Sequence, residues 1–263
     1  MKVHLVVIDP QNDFCDPSGS LFVPGADQDM SRLSTLVNRI HSRLDDISVT
    51  LDSHHRYDVA HPVFWKDRSG NHPGPFTLIS SSDVENQVWT PSQPGHYKRA
   101  LEYVKQLERN DRYTLCIWPP HCLIGHWGHN VYPELHTALE NFENSGAIVN
   151  YVTKGSNIWT EHYSAIQAEV VDPNDPTTQL NDRFINALAH ADIVAIAGEA
   201  SSHCLASTAR DIADNLGDDF VSKIVLLEDA TSPVPGFESL GTSFVDDLTA
   251  RGMQISNTVD FLA

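Results

Sequence analysis

Six short apolar segments, each closing on polar residues and separated by amphipathic stretches, constrain this chain more than any other feature. Val3 to Ile8 is a β-branched run that stops at Asp9-Pro10 and reads as a buried strand. Ile47 to Leu51 (ending at Asp52), Ala147 to Val152, Asp192 to Ala197 and Lys223 to Leu227 repeat the pattern, with a weaker strand over Met253 to Ile255. A helix is predicted over 26–45, where Met30, Leu33, Leu36, Val37, Ile40 and Leu44 form one apolar stripe. Further helices are expected near 96–109, 132–144, 181–190, 202–216 and 238–250. Strands alternating with such helices imply parallel βαβ units and a sheet covered on both faces. Residues 62–95 break the rhythm. They are rich in Pro, Gly, Ser and His, which predicts an insertion, and an apolar segment Tyr113–Trp118 follows the 96–109 helix. No linker separates two such units, so one α/β domain over 1–263 is expected.

Charge narrows the partners. Asp and Glu total 35 against 17 Lys and Arg, a formal net charge of −18. That surface repels phosphate backbones, which argues against nucleic acid. No apolar run approaches a membrane span, and the opening MKVHLVVIDPQNDF lacks the long apolar core and cleavage site of a signal peptide. The 4 cysteines, Cys15, Cys116, Cys122 and Cys204, are too few and scattered for a disulfide framework. The expectation is a cytoplasmic protein in a reducing compartment, acting on a small molecule, with homo-oligomerisation left open.

In parallel α/β sheets, ligands bind beyond the carboxyl ends of the strands. Asp9, the Asp52-Ser53-His54-His55 group, Lys154 and the loop Gly198-Glu-Ala-Ser-Ser-His-Cys204 all sit at such ends. Cys204 opens a predicted helix just after a strand and a glycine. A helix N-terminus lowers a thiol pKa, and its free N–H groups point toward a developing oxyanion. The alternative is a small buried hydrophobe, the reading kept for Cys15, Cys116 and Cys122. Burial would raise the Asp9 pKa and a nearby lysine lower it, a combination suited to proton transfer; the alternative is an Asp capping the next turn. Asp52-x-His54, His61 and His121 offer oxygen and imidazole ligands suited to Zn²⁺ or Fe²⁺, with His55, His126 and His129 as competitors among the 14 histidines.

These segments carry a resemblance. Val7-Ile8-Asp9-Pro10-Gln11-Asn12-Asp13-Phe14 resembles the opening strand of nicotinamidases, and Trp118-Pro119-Pro120-His121-Cys122 resembles their metal loop. Thr153-Lys154-Gly155 is similar to their catalytic lysine segment. Gly198-Glu199-Ala200-Ser201-Ser202-His203-Cys204 is similar to the nucleophile turn of the nicotinamidase/isochorismatase-like cysteine hydrolase superfamily. The resemblance implies a three-layer α/β/α sandwich around a six-stranded parallel sheet. It implies a triad of Asp9, Lys154 and Cys204, an oxyanion hole from the Ala200 and Cys204 amides beside a cis Glu199–Ala200 peptide, and one divalent metal held by Asp52, His54, His61 and His121. Zinc is the expected ion, with iron or manganese as alternatives; His55 is the reserve for His61, because family members often place this histidine closer to the Asp. Phe14, Trp118 and His203 would contact the substrate.

The activity implied is hydrolysis of nicotinamide to nicotinate and ammonia, in NAD salvage. The alternatives are a related cysteine hydrolase of an N-carbamoyl or ureide amide, and a non-catalytic ligand-binding protein on the same fold. The run Gly125-His126-Trp127-Gly128-His129 departs from the small or hydroxyl residue common after that glycine, and predicts a reshaped pocket.

Overall fold

The computed structural model describes residues 1–109 and 113–263. Its centre is a sheet of six parallel strands: β1 (Val3–Ile8), β2 (Asp46–Asp52), β3 (Val149–Lys154), β4 (Ile193–Gly198), β5 (Ile224–Leu227) and β6 (Gln254–Ser256). The spatial order is β6-β5-β4-β1-β2-β3. Every β1 residue is buried, as expected of a strand covered on both faces. Order reverses between β1 and β4, so crossovers leave the middle of the sheet in opposite directions. Because such crossovers are right-handed, the helices fall on opposite faces.

Helix α1 (Ala26–Ile40) packs on α3 (Pro133–Glu143). On the other face α5 (Cys204–Leu216) contacts α4 (Asp182–Ala189) and α6 (Glu238–Ala250). The α1 stripe of Met30, Leu33, Leu36, Val37 and Ile40 is buried as its period requires. The helix ends five residues before the sequence-based limit, because His41–Arg43 tightens into a 3₁₀ turn that leads into β2 and still buries Leu44. Strand β3 starts at Val149 rather than Ala147, leaving Ile148 exposed, and runs on to Lys154. The lysine is thus held on the last rung of a strand rather than in the loop after it.

Between β2 and β3, the stretch containing residues 62–95 is more ordered than its composition indicates. It holds two small antiparallel pairs, Trp65–Lys66 with Thr90–Pro91 and Leu78–Ile79 with Leu115–Cys116, and a helix Ser81–Glu85 with a capping box at Ser80. With α2 (Tyr97–Arg109) these pieces enclose a second apolar cluster around Phe64, Trp65, Val104 and Leu107. The apolar segment before His121 therefore pairs with this stretch and not with the main sheet. No helix among the described residues is long and apolar enough to cross a membrane.

Candidate active site

The reversal point between β1 and β4 is where an open α/β sheet leaves a crevice at its carboxyl edge. Asp9 follows β1 there, with its backbone in the left-handed region (φ 42°), and its carboxyl is fully buried. One oxygen accepts a short hydrogen bond from the Thr50 hydroxyl; the other lies 2.9 Å from the Lys154 amine. Asp52 and Lys154 are cross-strand partners on the last rung of β2 and β3, and Lys154 Nζ stands 3.2 Å from Asp52 Oδ1. The same amine lies 3.6 Å from Cys204 Sγ. One buried cation thus touches two carboxylates and a thiol. Gly155 must lack a side chain, since a Cβ there would lie 2.6 Å from Asp52 Oδ1.

Cys204 is the first residue of α5 and reaches the site through a turn that only glycine can open. A Cβ on Gly198 (φ 106°) would lie 2.1 Å from the Ile8 carbonyl oxygen. The Glu199–Ala200 peptide is cis. At the first position of a helix an N–H has no intrahelical partner, and neither the Cys204 nor the Ala200 N–H meets an acceptor among the described residues. Two free donors therefore flank the thiol.

Electrostatics differ from the sequence expectation at one point. Burial pushes the Cys204 thiol well above its ordinary pKa, and the Lys154 charge only partly offsets this. The helix N-terminus alone does not make a resting thiolate. Burial also raises Asp9, with Lys154 pulling the other way. For Lys154, burial works against the charge, but Asp52 and Asp9 outweigh it and hold the amine well above its usual value. A neutral thiol beside a carboxyl group that favours its proton is a pair arranged for proton exchange.

Above Lys154 lies a cluster of imidazoles. Ligand atoms of Asp52, His54 and His121 lie within 4.8 Å of one another. His54 Nε2 is 2.9 Å and His121 Nε2 3.4 Å from the same Asp52 oxygen. His61 is fully buried and lies beside both, its ring tilted against His54 at 5.0 Å and edge-on to His121 at 5.4 Å between centres. The reserve choice, His55, is exposed; its carbonyl instead accepts from His61 Nδ1 at 3.1 Å.

The donors fit a metal ion. With Nδ1 bonded to that carbonyl, His61 Nε2 carries a lone pair, yet it is buried and has no partner. The His121 Nδ1–H donates to the Pro119 carbonyl at 2.9 Å, which turns its Nε2 toward the Asp52 carboxylate. A buried imidazole nitrogen without a partner, beside a carboxylate and two further imidazoles, suits a cation. His54 Nδ1 lies 3.2 Å from Asp58, the carboxylate–histidine arrangement that orients metal-binding imidazoles. Burial opposes a charge on His54, but Asp52 and Asp58 hold its pKa well above normal. That is the proton a divalent ion would displace.

Beside Cys204 opens a narrow apolar cavity lined by Phe14, Trp118, His203, Tyr163, Glu161 and Ala200 among others. Phe14 packs on the His121 ring with centres 5.3 Å apart, and His203 meets Trp118 edge-on at 5.3 Å. Burial lowers His203 to about 4, so it is a neutral wall at pH 7. Glu161, Tyr163, Asp58 and Thr50 escape sequence reasoning. The first two lie in a stretch without helix or strand period, and burial pushes Glu161 up to about 8, so a protonated carboxyl lines the cavity. Asp58 had a signal, its spacing of four residues after His54. The bulky 125–129 run does not crowd the cavity: His126 and Trp127 point to solvent, and His129 Nε2 bonds the Ser53 hydroxyl at 2.8 Å.

The fold is the one shared by solved nicotinamidase and pyrazinamidase structures, with a cysteine, a lysine and two carboxylates at its crevice. The chain is similar, over nearly its whole length, to nicotinamidases. The nicotinamidase of Saccharomyces cerevisiae is 24% identical over 251 residues, covering 95% of this chain and 97% of the yeast protein. The solved yeast nicotinamidase superposes with a TM-score of 0.67 at 21% identity, covering 97% of this chain and 99% of that one. An Acinetobacter baumanii nicotinamidase pyrazinamidase gives 0.66 at 22% identity, with 99% and 98% covered. The pyrazinamidase of Pyrococcus horikoshii, solved in complex with zinc, gives 0.57 at 17% identity, with 98% and 99% covered. No protein-family model matches the chain.

Proposed function

We propose that this protein is a metal-dependent cysteine amidohydrolase that converts nicotinamide and water to nicotinate and ammonia, a reaction of NAD salvage. The observation that carries the reading is the single lysine amine set 2.9 Å from Asp9 and 3.6 Å from the Cys204 sulfur, beside an aromatic cavity and an imidazole cluster. Similarity to nicotinamidases along almost the whole chain supports the choice of amide.

Asp9 takes the proton of the Cys204 thiol as the sulfur attacks the carboxamide carbon. The oxyanion accepts hydrogen bonds from the Ala200 and Cys204 amides, and Lys154 keeps Asp9 and Cys204 in register and balances the charge that moves between them. Asp9 then gives its proton to the departing nitrogen, which leaves as ammonia. A water enters, loses a proton to Asp9 and adds to the thioester. Collapse of that adduct releases nicotinate, and the sulfur recovers its proton. Phe14, Trp118 and His203 hold the flat ring. Asp52, His54, His61 and His121 would hold a divalent ion, zinc by preference, which would supply an electrophilic point for the ring nitrogen.

Substrate preference tests the assignment. Benzamide has the shape of nicotinamide without the ring nitrogen, so it cannot address the metal. Losing one such interaction costs on the order of 2–4 kcal/mol in the transition state. Nicotinamide should therefore exceed benzamide by roughly one and a half to three decades in kcat/KM, at about 1.4 kcal/mol per decade. Equal rates, or no turnover of either beside rapid release of ammonia from an N-carbamoyl amide, would sink the nicotinamide reading and leave the cysteine hydrolase. Elemental analysis tests the metal: His54→Ala should retain far less zinc than wild type, and equal contents would count against the proposed ligand set.

A further inference from the structure

Three consecutive side chains beyond Pro10, those of Gln11, Asn12 and Asp13, take no part in the chemistry above, yet all three are buried; Gln11 and Asp13 bond to backbone of the two metal-bearing segments, and Asn12 to the loop that follows the second. The Gln11 side-chain amide pairs with the Asp52 backbone in both directions, accepting from its N–H at 2.7 Å and donating to its carbonyl at 2.8 Å. It also donates to the His129 carbonyl at 2.9 Å. Asn12 donates to the Trp127 carbonyl at 2.8 Å. The Asp13 carboxylate accepts from the Cys122 N–H at 2.6 Å and from the Ser20 N–H at 2.9 Å.

Cys122 follows His121 directly and sits in the left-handed region (φ 46°), where a non-glycine residue is uncommon. Its carbonyl accepts from the His54 N–H at 3.0 Å, so the two segments carrying Asp52, His54 and His121 are tied together at this residue. Gly128 closes the bracket from outside, since a Cβ there would lie 2.0 Å from an Asp13 carboxylate oxygen.

Resting on the metal reading proposed above, we infer that Gln11 and Asp13, with Asn12 between them, are positioning residues for the metal site. They hold Asp52 and His121 at ligating separation by clamping the Asp52 backbone and the Cys122 N–H next to His121, and touch neither substrate nor metal. Nothing in ordinary folding requires a side-chain amide to copy a strand's pairing pattern at the end of β2. There the Asp52 carboxylate must serve Lys154 and two imidazoles at once.

The test is zinc affinity, measured by competition with a chromophoric chelator on metal-stripped protein. Gln11→Met removes the clamp without changing charge, and Asp13→Asn keeps the shape but turns an amide toward a backbone donor. Loss of such outer-shell support weakens metal binding by about 10- to 100-fold, and both variants are expected in that range. Saturating zinc should restore kcat, because the reacting groups are intact, whereas a merely structural defect would lower the melting temperature of the metal-free protein and would not respond to zinc. If Gln11→Met fails to fold, Asp13→Asn carries the comparison. Folded variants that bind zinc within twofold of wild type would overturn the inference alone; a wild type that binds no zinc would overturn the metal reading with it.

Discussion

Cys204→Ala should fold normally and lose ammonia release by at least about 10⁴-fold in kcat, roughly 5.5 kcal/mol at 1.36 kcal/mol per decade. Among the described residues the sulfur is the thiol within reach of the Lys154 amine, at 3.6 Å, and removing the nucleophile leaves only binding and oxyanion stabilisation. Stability should change by no more than about 1 kcal/mol, because the thiol behaves as a small buried hydrophobe and alanine nearly fills its place. Cys122→Ala is the control. That cysteine is also buried, but burial and three surrounding carboxylates, Asp52, Asp13 and Asp9, hold its thiol protonated, and its sulfur lies 4.0 Å from the Gly128 carbonyl oxygen. It should keep most of its activity. Substantial turnover by Cys204→Ala, or matching losses in both variants, would remove the cysteine mechanism.

Most of the sheet was legible because its strands are short, apolar and bounded by polar residues at both ends; all six expected strands align in one parallel sheet. What the sequence could not show is adjacency across it. Asp52 and Lys154 lie 102 positions apart, and only the register of β2 on β3 makes them neighbours. Asp9, Lys154 and Cys204 meet, and Asp52, His54 and His121 cluster with the His61 ring beside them, but the groups around them were hidden. Thr50 lies within a strand whose period gives no hint that its hydroxyl serves Asp9, and Glu161 belongs to a segment held by tertiary contacts alone. The helix terminus at Cys204 supplies free N–H donors as expected, but burial opposes its effect on the thiol: a local dipole can be read from sequence, whereas desolvation depends on everything packed around the sulfur.

Lys154→Met should be costly in two separable ways. The amine is almost fully buried between Asp9 and Asp52, and removing one partner of a buried ionic cluster typically costs about 3–5 kcal/mol, since the remaining charges stay desolvated and unpaired. For a chain of this size that amounts to a fall on the order of 10 °C in the melting temperature of the metal-free protein. The second cost is kinetic and has a sign. Burial already raises Asp9, and Lys154 is the main influence pulling it down. Without the lysine, Asp9 stays protonated to higher pH, and a protonated Asp9 cannot accept the Cys204 proton. The acid limb of the kcat/KM profile should move upward in pH, and activity near neutrality should drop by about 10²- to 10⁴-fold, the usual worth of one positioned proton-transfer group. Raising the pH should recover part of the loss in Lys154→Met but none of it in Cys204→Ala. A Lys154→Met profile lowered uniformly, with its acid limb unmoved, would show that the lysine holds the site together without setting the proton affinity of Asp9.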